Sequence, residues 1–180
     1  MKLSQISLAT LFAVAAVSFG ANAAGSYVGN SGKVTFFGSV VDAPCNLAPG
    51  QDGMDIKVDF GELSMSQLNA GETSARKFEI HLENCNMGTE AAKKTAEITF
   101  NSPDQMAGKN LLGTNGLAKN LAIGINNITF GTAASITGMT NGDNTLTYTA
   151  VAQKATTGEG SADVTAGDFT AATNFLISYK

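Results

Sequence analysis

The sequence predicts an all-β sandwich, and two observations support this prediction. Short stretches of alternating apolar and polar residues recur along the chain with turn residues between them, and no convincing stretch has the period of a helix. Successive side chains on a strand point to opposite faces, so each stretch suits a sheet with one face on a core and the other in solvent.

The chain opens with a pattern typical of a secretory signal peptide. Lys2 supplies a positive charge, Ile6 to Phe19 is a mostly apolar run, and small residues at Ala21 and Ala23 form a cleavage pattern. The run is shorter than the ~20 apolar residues that a membrane-spanning helix needs. We expect cleavage after Ala23, with Ala24 as the alternative, and an exported chain of about 157 residues that forms one domain.

Four strands are predicted in the first half of the exported chain, and residues 63–68 suit one short helical turn. Gly and Pro residues between the strands mark turns. The four stretches are Val34 to Val41, Ile56 to Phe60, Lys77 to Leu82, and Ala96 to Phe100.

The second half adds three further alternating stretches. Leu121 to Ile125 is followed, after a kink, by Ile128 and Phe130, and a turn at 141–143 precedes the stretch from Leu146 to Ala152. A polar loop over 158–167 leads to the last strand, 173–180. About seven short strands describe an immunoglobulin-like sandwich. Another secreted β-sandwich fits the same periodicity and stays open.

The two cysteines, Cys45 and Cys85, are expected to form a disulfide because the chain is exported. A metal site would need more Cys or His residues at short spacing, and a catalytic thiol would need a nearby base. Closing this loop would stabilise the fold by about 4 kcal/mol on the chain-entropy model.

Composition and motifs argue against an enzyme, a metal or cofactor site, and a nucleic-acid partner. The net charge is −4, whereas phosphate binding needs clustered Lys and Arg. The one histidine, His81, lies between Glu79 and Glu83 on the charged face of a strand, so we expect a solvent-facing residue rather than a metal ligand or general base. No nucleophile–base set or phosphate-binding glycine motif is present.

Both ends of the exported chain resemble edge strands. Lys33 to Val41 and Thr173 to Lys180 alternate apolar side chains. Strand edges present unpaired N–H and C=O groups, which most proteins cover or blunt. A long β-prone stretch at each end therefore points to assembly with other chains.

The segment Gly-Lys-Val-Thr-Phe-Phe-Gly-Ser-Val-Val-Asp-Ala-Pro-Cys, residues 32–45, resembles the start of the major pilins of chaperone–usher fimbriae of Gram-negative bacteria. The end of the chain is similar to theirs as well. Tyr179 is penultimate, Phe175 and Ile177 alternate with it, and Gly167 is the fourteenth residue from the C-terminus. The separation of the two cysteines also resembles the family disulfide.

This resemblance implies an incomplete immunoglobulin-like β-sandwich that lacks its final strand and is completed by a donor strand from a partner. It implies a donor extension at 24–41 and a pilin domain at 42–180. The extension of one subunit would insert into the groove of the next. Four side chains of one parity are expected to enter that groove: Val34, Phe36, Gly38 and Val40.

The resemblance also implies partners and a location. Gly167, Phe175, Ile177 and Tyr179 are expected at the groove edge, in contact with a periplasmic chaperone and with other subunits. The partners would be identical or related pilins, that chaperone, and an outer-membrane usher. The product would be an adhesion-supporting fimbria on the cell surface. A minor or adaptor pilin and a secreted β-sandwich binding module stay open as alternatives.

Overall fold

The computed structural model describes residue 30 and residues 32–106, 109–155 and 162–180. The chain divides into two units, Met1–Ser39 and Val40–Lys180. The predicted signal peptide, residues 1–23, lies outside the described residues, and so do residues 158–161 of the predicted polar loop at 158–167. Within the described ranges, no helix is both long and apolar enough to cross a membrane.

The N-terminal stretch 32–41 contains neither helix nor strand, so the prediction of a first strand at Val34 to Val41 is wrong for the isolated chain. Its apolar side chains are exposed, with Phe36 at 89% and Phe37 at 97%. A strand forms only where another strand supplies hydrogen bonds. The alternation in this stretch therefore suits a partner that this chain does not provide.

Ten strands, one short helix and two 3₁₀ turns make up the described part of the second unit. The helix α1 spans Met65–Asn69, close to the predicted turn, and Ser64 caps it by accepting a hydrogen bond from the Gln67 N–H. The 3₁₀ turns are Gly50–Asp52 and Glu90–Ala92. The strands are β1 Asn46–Leu47, β2 Ser74–Cys85, β3 Ala96–Asn101, β4 Leu112–Gly113, β5 Asn115–Gly116, β6 Leu121–Ile125, β7 Ala134–Ile136, β8 Gly142–Lys154, β9 Phe169–Thr170 and β10 Asn174–Tyr179.

The strands form a five-stranded sheet in the order β1-β2-β8-β6-β4 and a three-stranded sheet in the order β10-β3-β7. A further pair joins β5 to β9. The two larger sheets share one core, in which Ile80 and Leu82 of β2 and Ile98 and Phe100 of β3 are fully buried. The all-β prediction is confirmed. Burial of this apolar surface is the main force that holds the sheets together.

The β2–β8 pair is the longest ladder in the structure, and it confirms the predicted alternation. Its register runs from Ser74 opposite Ala152 to Leu82 opposite Asn144, all antiparallel. Ile80 and Leu82 are buried, whereas Glu79 on the other face is exposed. From Phe78 to Leu82 the strand thus turns alternate residues toward the core.

The predicted disulfide between Cys45 and Cys85 is present. It joins the residue before β1 to the last residue of β2. Both sulfur-bearing residues are buried in the shared core. The bond therefore fixes the start of the second unit against the larger sheet.

Three local predictions differ from the structure. Ile56 to Phe60 forms no strand, although Phe60 is buried. Ile128 and Phe130 do not continue β6, because the Asn110 amide donates to the Ile128 carbonyl and accepts from the Phe130 N–H, which occupies groups that a strand would use. The turn predicted at 141–143 is shorter than expected, since β8 already begins at Gly142.

Candidate functional site

An open groove of ≈ 680 Å³ lies in the second unit. Its floor consists of core side chains from both larger sheets, so the groove reaches the interior of the sandwich. Apolar surface of this kind is costly to leave in contact with water. The floor residues are Phe78, Phe100, Leu112, Ile123, Ile125 and Ala150.

One wall of the groove is the segment 54–60, with Leu47 beside it. Ile56 and Val58 are half-buried and pack against the core. No backbone hydrogen bond joins residues 56–60 to any other residue that the structure describes. The Phe60 carbonyl alone has a partner, the Arg76 guanidinium at 3.0 Å. Half-buried backbone normally has hydrogen-bond partners, so this wall lacks a neighbouring strand.

The opposite wall is the segment 169–175, which leads into β10. In the described part of the chain, β10 pairs only with β3, from Asn174 opposite Asn101 to Tyr179 opposite Ala96. The strand β10 is therefore an edge strand with one row of free backbone groups. The groove thus lies between the segment 56–60, which has no strand partner, and the edge strand β10, which has a strand partner on one side only.

Aromatic rings line the groove from wall to wall. The ring centroids of Phe60 and Phe169 are 6.2 Å apart, and those of Phe100 and Phe175 are 6.1 Å apart. Phe100 also meets Tyr148 edge-on at 5.4 Å. Such rings provide a large apolar surface for an incoming side chain. The chemistry of the groove suits an apolar strand rather than a charged ligand.

The structure brings the predicted C-terminal residues together on one face of β10. Phe175, Ile177 and Tyr179 are half-buried against the core, and Leu176 between them is exposed. Phe175 lines the groove directly. The alternation predicted from the sequence is therefore confirmed for this strand, whereas contact with a chaperone or another subunit stays a prediction.

Gly167 lies before β9, against the segment that contains Leu117 and Ala118. Its φ of +148° is in the region that favours glycine, and an added Cβ would come within 2.6 Å of the Ala118 nitrogen. Its local role is therefore a close backbone approach. Its predicted place at the groove edge remains a prediction.

The predicted donor residues lie in the unpaired N-terminal stretch. Val34, Phe36 and Val40 are exposed, and no heavy atom beyond its chain neighbours lies within 4 Å of a Cβ built on Gly38. Nothing inside the described chain therefore explains why these positions alternate apolar residues.

Sequence reasoning missed the wall formed by 54–60 and the contribution of Phe169. The available signal is the alternation of Ile56, Val58 and Phe60, which predicts a half-buried strand. The pattern reports burial of one face, but it carries no information about hydrogen-bond partners.

His81 lies on the outer face of β2. Its Nδ1 is 3.1 Å from the Thr145 hydroxyl, and its Nε2 is 3.4 Å from a Glu79 carboxylate oxygen. Thr145 is its partner in the β2–β8 register. These contacts are cross-strand and same-strand neighbours on the outer face of a sheet. Among the described residues, no group of three or more His, Cys, Asp or Glu residues is placed to hold a metal ion.

Two tyrosines are affected by their position in the sandwich. Burial raises the pKa of Tyr148 and that of Tyr179 above the ordinary value of 10.0, because desolvation disfavours the phenolate. Both side chains are therefore neutral at physiological pH, and both pack against the core.

Known proteins with similar sequences belong to one family. A profile of the family described as fimbrial protein matches residues 34–180. The chain is 40% identical to the Fimbria A protein of Serratia marcescens over 100% of both chains. It is 37% identical to the Pap fimbrial major pilin protein of Escherichia coli, over 96% of this chain and 97% of that one.

Solved structures of pilus subunits have the same fold as this chain. A structure of a chaperone–usher pilus, solved to explain rod uncoiling, matches with a TM-score of 0.72 and 37% identity, over 84% of this chain and 96% of that one. The P pilus rod subunit PapA matches with a TM-score of 0.66 and 34% identity, over 77% of this chain and 100% of that one.

The sandwich, its open groove and these similarities define an incomplete immunoglobulin-like domain. The proteins that it resembles are structural subunits rather than enzymes. The chain belongs to the fimbrial protein family, and it is a major pilin of the chaperone–usher type. It is a structural subunit of an extracellular surface fibre. The fold and the function expected from the sequence are thereby confirmed.

Proposed function

We propose that this pilin polymerises by donor-strand exchange. The N-terminal extension of one subunit consists of residues 24–41. It enters the groove in the pilin domain of the next subunit, which consists of residues 42–180. The observation that supports this most is the groove itself, since the unpaired segment 56–60 and the edge strand β10 border it and its floor is the apolar core. One inserted strand would supply hydrogen bonds to the free edge of β10 and cover the floor.

The stretch 34–41 has the composition that such a strand needs. Val34, Phe36 and Val40 share one face, and all three are exposed in the isolated chain. Burying a fully exposed side chain of this size stabilises a complex by about 1.5–3 kcal/mol. Three such side chains entering one groove provide a strong driving force for assembly.

The same groove gives a reason for a chaperone. A subunit with its core open to water would aggregate before it met its neighbour. A periplasmic chaperone that lends a strand to the groove would prevent this, and an outer-membrane usher would exchange that strand for the extension of the next subunit. The subunit would pass through the periplasm on its way to the surface, and the fibre would support adhesion.

A variant with Val34, Phe36 and Val40 changed to serine tests this proposal. As the sole major subunit it should form no fibres in electron micrographs, because the donor face is polar. The purified variant should still fold when an unmodified peptide spanning residues 25–41 is added in excess, which shows that its groove is intact. A Thr35→Ser, Ser39→Thr variant, changed only on the opposite face, should assemble normally.

Fibres of normal length from the triple variant would contradict donor-strand exchange through this segment. The unmodified mature chain tests the remaining alternative, a binding module with a complete sandwich. If the unmodified mature chain stays a stable monomer without added peptide or chaperone, the groove needs no donor and the proposal is wrong.

A further inference from the structure

Leu176 on the outer face of β10 has no explanation within the subunit. Its neighbours Phe175 and Ile177 point toward the core, whereas Leu176 is 61% exposed. Asn174 and Ser178, the other outward residues of this strand, are polar. The free backbone groups of an edge strand can pair with an added strand, and Leu176 would then be available for a cross-strand contact with it.

Phe37 in the N-terminal stretch is a second unexplained residue. It is 97% exposed, and it has the opposite parity to Val34, Phe36 and Val40. If those three enter the groove, Phe37 points outward. The donor stretch is thus apolar on both faces at its centre, although insertion into the groove would use only one face.

Insertion beside β10 would bring the two residues onto one surface. Neighbouring strands place side chains of the same orientation opposite each other, so the outward row of the donor must align with the outward row of β10. We consider antiparallel registers that keep this parity. In two of them, the middle of the stretch 34–41 lies closest to the middle of β10. The one shifted toward the groove-lining residues 169–175 sets Phe37 opposite Leu176.

The same register gives Gly38 a reason. It places Gly38 opposite Phe175, whose ring lies over Phe100 in the groove, with centroids 6.1 Å apart. A residue without a side chain leaves space for that ring. Phe36 then lies opposite Ile177, which is also half-buried against the core.

We propose that the outer face of β10 is a second recognition surface for a neighbouring copy of this chain, on which Phe37 of the donor strand packs against Leu176 of the acceptor. This contact rests on the proposed donor-strand exchange and adds to it. The donor is held on both faces, by groove contacts on one side and by this cross-strand pair on the other. An apolar cross-strand pair of this kind contributes enough to slow dissociation about threefold to fivefold.

The test is a double-mutant cycle on the full mature chain, refolded at low concentration with an excess of labelled peptide spanning residues 25–41. Dissociation of the peptide is followed in mild denaturant. The Phe37→Ser peptide should leave the unmodified chain about threefold to fivefold faster than the unmodified peptide does. From a Leu176→Ser chain the two peptides should leave at nearly the same rate, because the pair is already broken.

Two controls match these changes. Leu117 is another exposed leucine outside the groove lining, so a Leu117→Ser chain should behave as the unmodified chain. A Thr35→Ser peptide, changed on the same outward face, should dissociate at the unmodified rate. Leu176 is exposed, so its replacement leaves the core intact, and binding of the unmodified peptide confirms this.

The outcomes separate this inference from the proposed function. Equal rates for the Phe37→Ser and unmodified peptides, or an equal effect of Phe37→Ser on both chains, would overturn the Phe37–Leu176 contact. A Phe36→Ser peptide should dissociate at least about tenfold faster from either chain, because Phe36 enters the groove. If Phe36→Ser has no effect, donor-strand exchange itself is wrong.

Discussion

Gly38 interrupts the stretch 34–41, in which every other residue except Ser39 is β-branched or aromatic. A glycine weakens strand propensity, so some demand from outside the chain must outweigh this loss. Inside the described chain no heavy atom beyond its chain neighbours lies within 4 Å of a Cβ built there. The demand therefore comes from the acceptor groove in our proposal.

Replacing Gly38 with leucine should leave the fold of the subunit unchanged and slow insertion of the donor strand about tenfold or more, because an added side chain overpacks the groove. The measurement is the rate at which a labelled peptide spanning residues 25–41 enters the refolded chain. A Ser39→Thr peptide, altered on the outward face, is the matched control. Equal rates for the Gly38→Leu and unmodified peptides would remove the steric explanation.

The alternation of apolar and polar residues predicts the positions of some individual side chains but not of others. The inward positions of Phe175, Ile177 and Tyr179 could be predicted from alternation alone, because successive strand residues face opposite sides. The close approach of Gly167 to Ala118 could not, since it joins segments far apart in sequence.

At the scale of elements, the disulfide is a covalent cross-link between two segments of the described structure. It links Cys45 before β1 to Cys85 at the end of β2, across a separation of 40 residues. The closed loop contains α1 and the groove wall at 54–60. This wall has no strand partner, so the covalent link limits how far it moves from the sheet.

A variant with Cys45→Ser and Cys85→Ser should lose about 4 kcal/mol of the free energy of unfolding on the chain-entropy model. The quantity is measured by guanidinium unfolding of the chain saturated with donor peptide, so that all samples are complete sandwiches. The unmodified chain treated with reductant should show a similar loss. An unchanged free energy of unfolding in both samples would show that the loop constraint contributes nothing.

The stability of the whole molecule at high pH depends on two half-buried tyrosines, Tyr148 and Tyr179. The pKa values of Tyr148 and Tyr179 are raised in the folded state by desolvation, above the ordinary value of 10.0. Their contribution to stability is complete below that ordinary value. It is lost as the pH rises through the raised pKa, because the unfolded chain ionises first.

We therefore expect the free energy of unfolding to fall as the pH is raised from about 9 to 12. A Tyr148→Phe, Tyr179→Phe variant should lose less over the same interval, since its phenyl rings do not ionise. The control is a comparison of the two proteins at neutral pH, where the slopes should agree. Identical slopes above pH ~10 would contradict the contribution of these two groups.

For the whole molecule, alternation along the chain is enough to predict which face of each long strand meets the core. The buried positions of β2, β3 and β8 follow from alternation, and the disulfide follows from export and two cysteines. These are local or compositional properties, because burial of a strand face depends on residues two apart. The tertiary structure alone decided which strands pair. It left residues 56–60 and the free edge of β10 without partners on either side of an apolar groove, although both segments alternate as paired strands do. Pairing is a contact between distant segments, and a local pattern predicts that a strand needs a partner without identifying the partner.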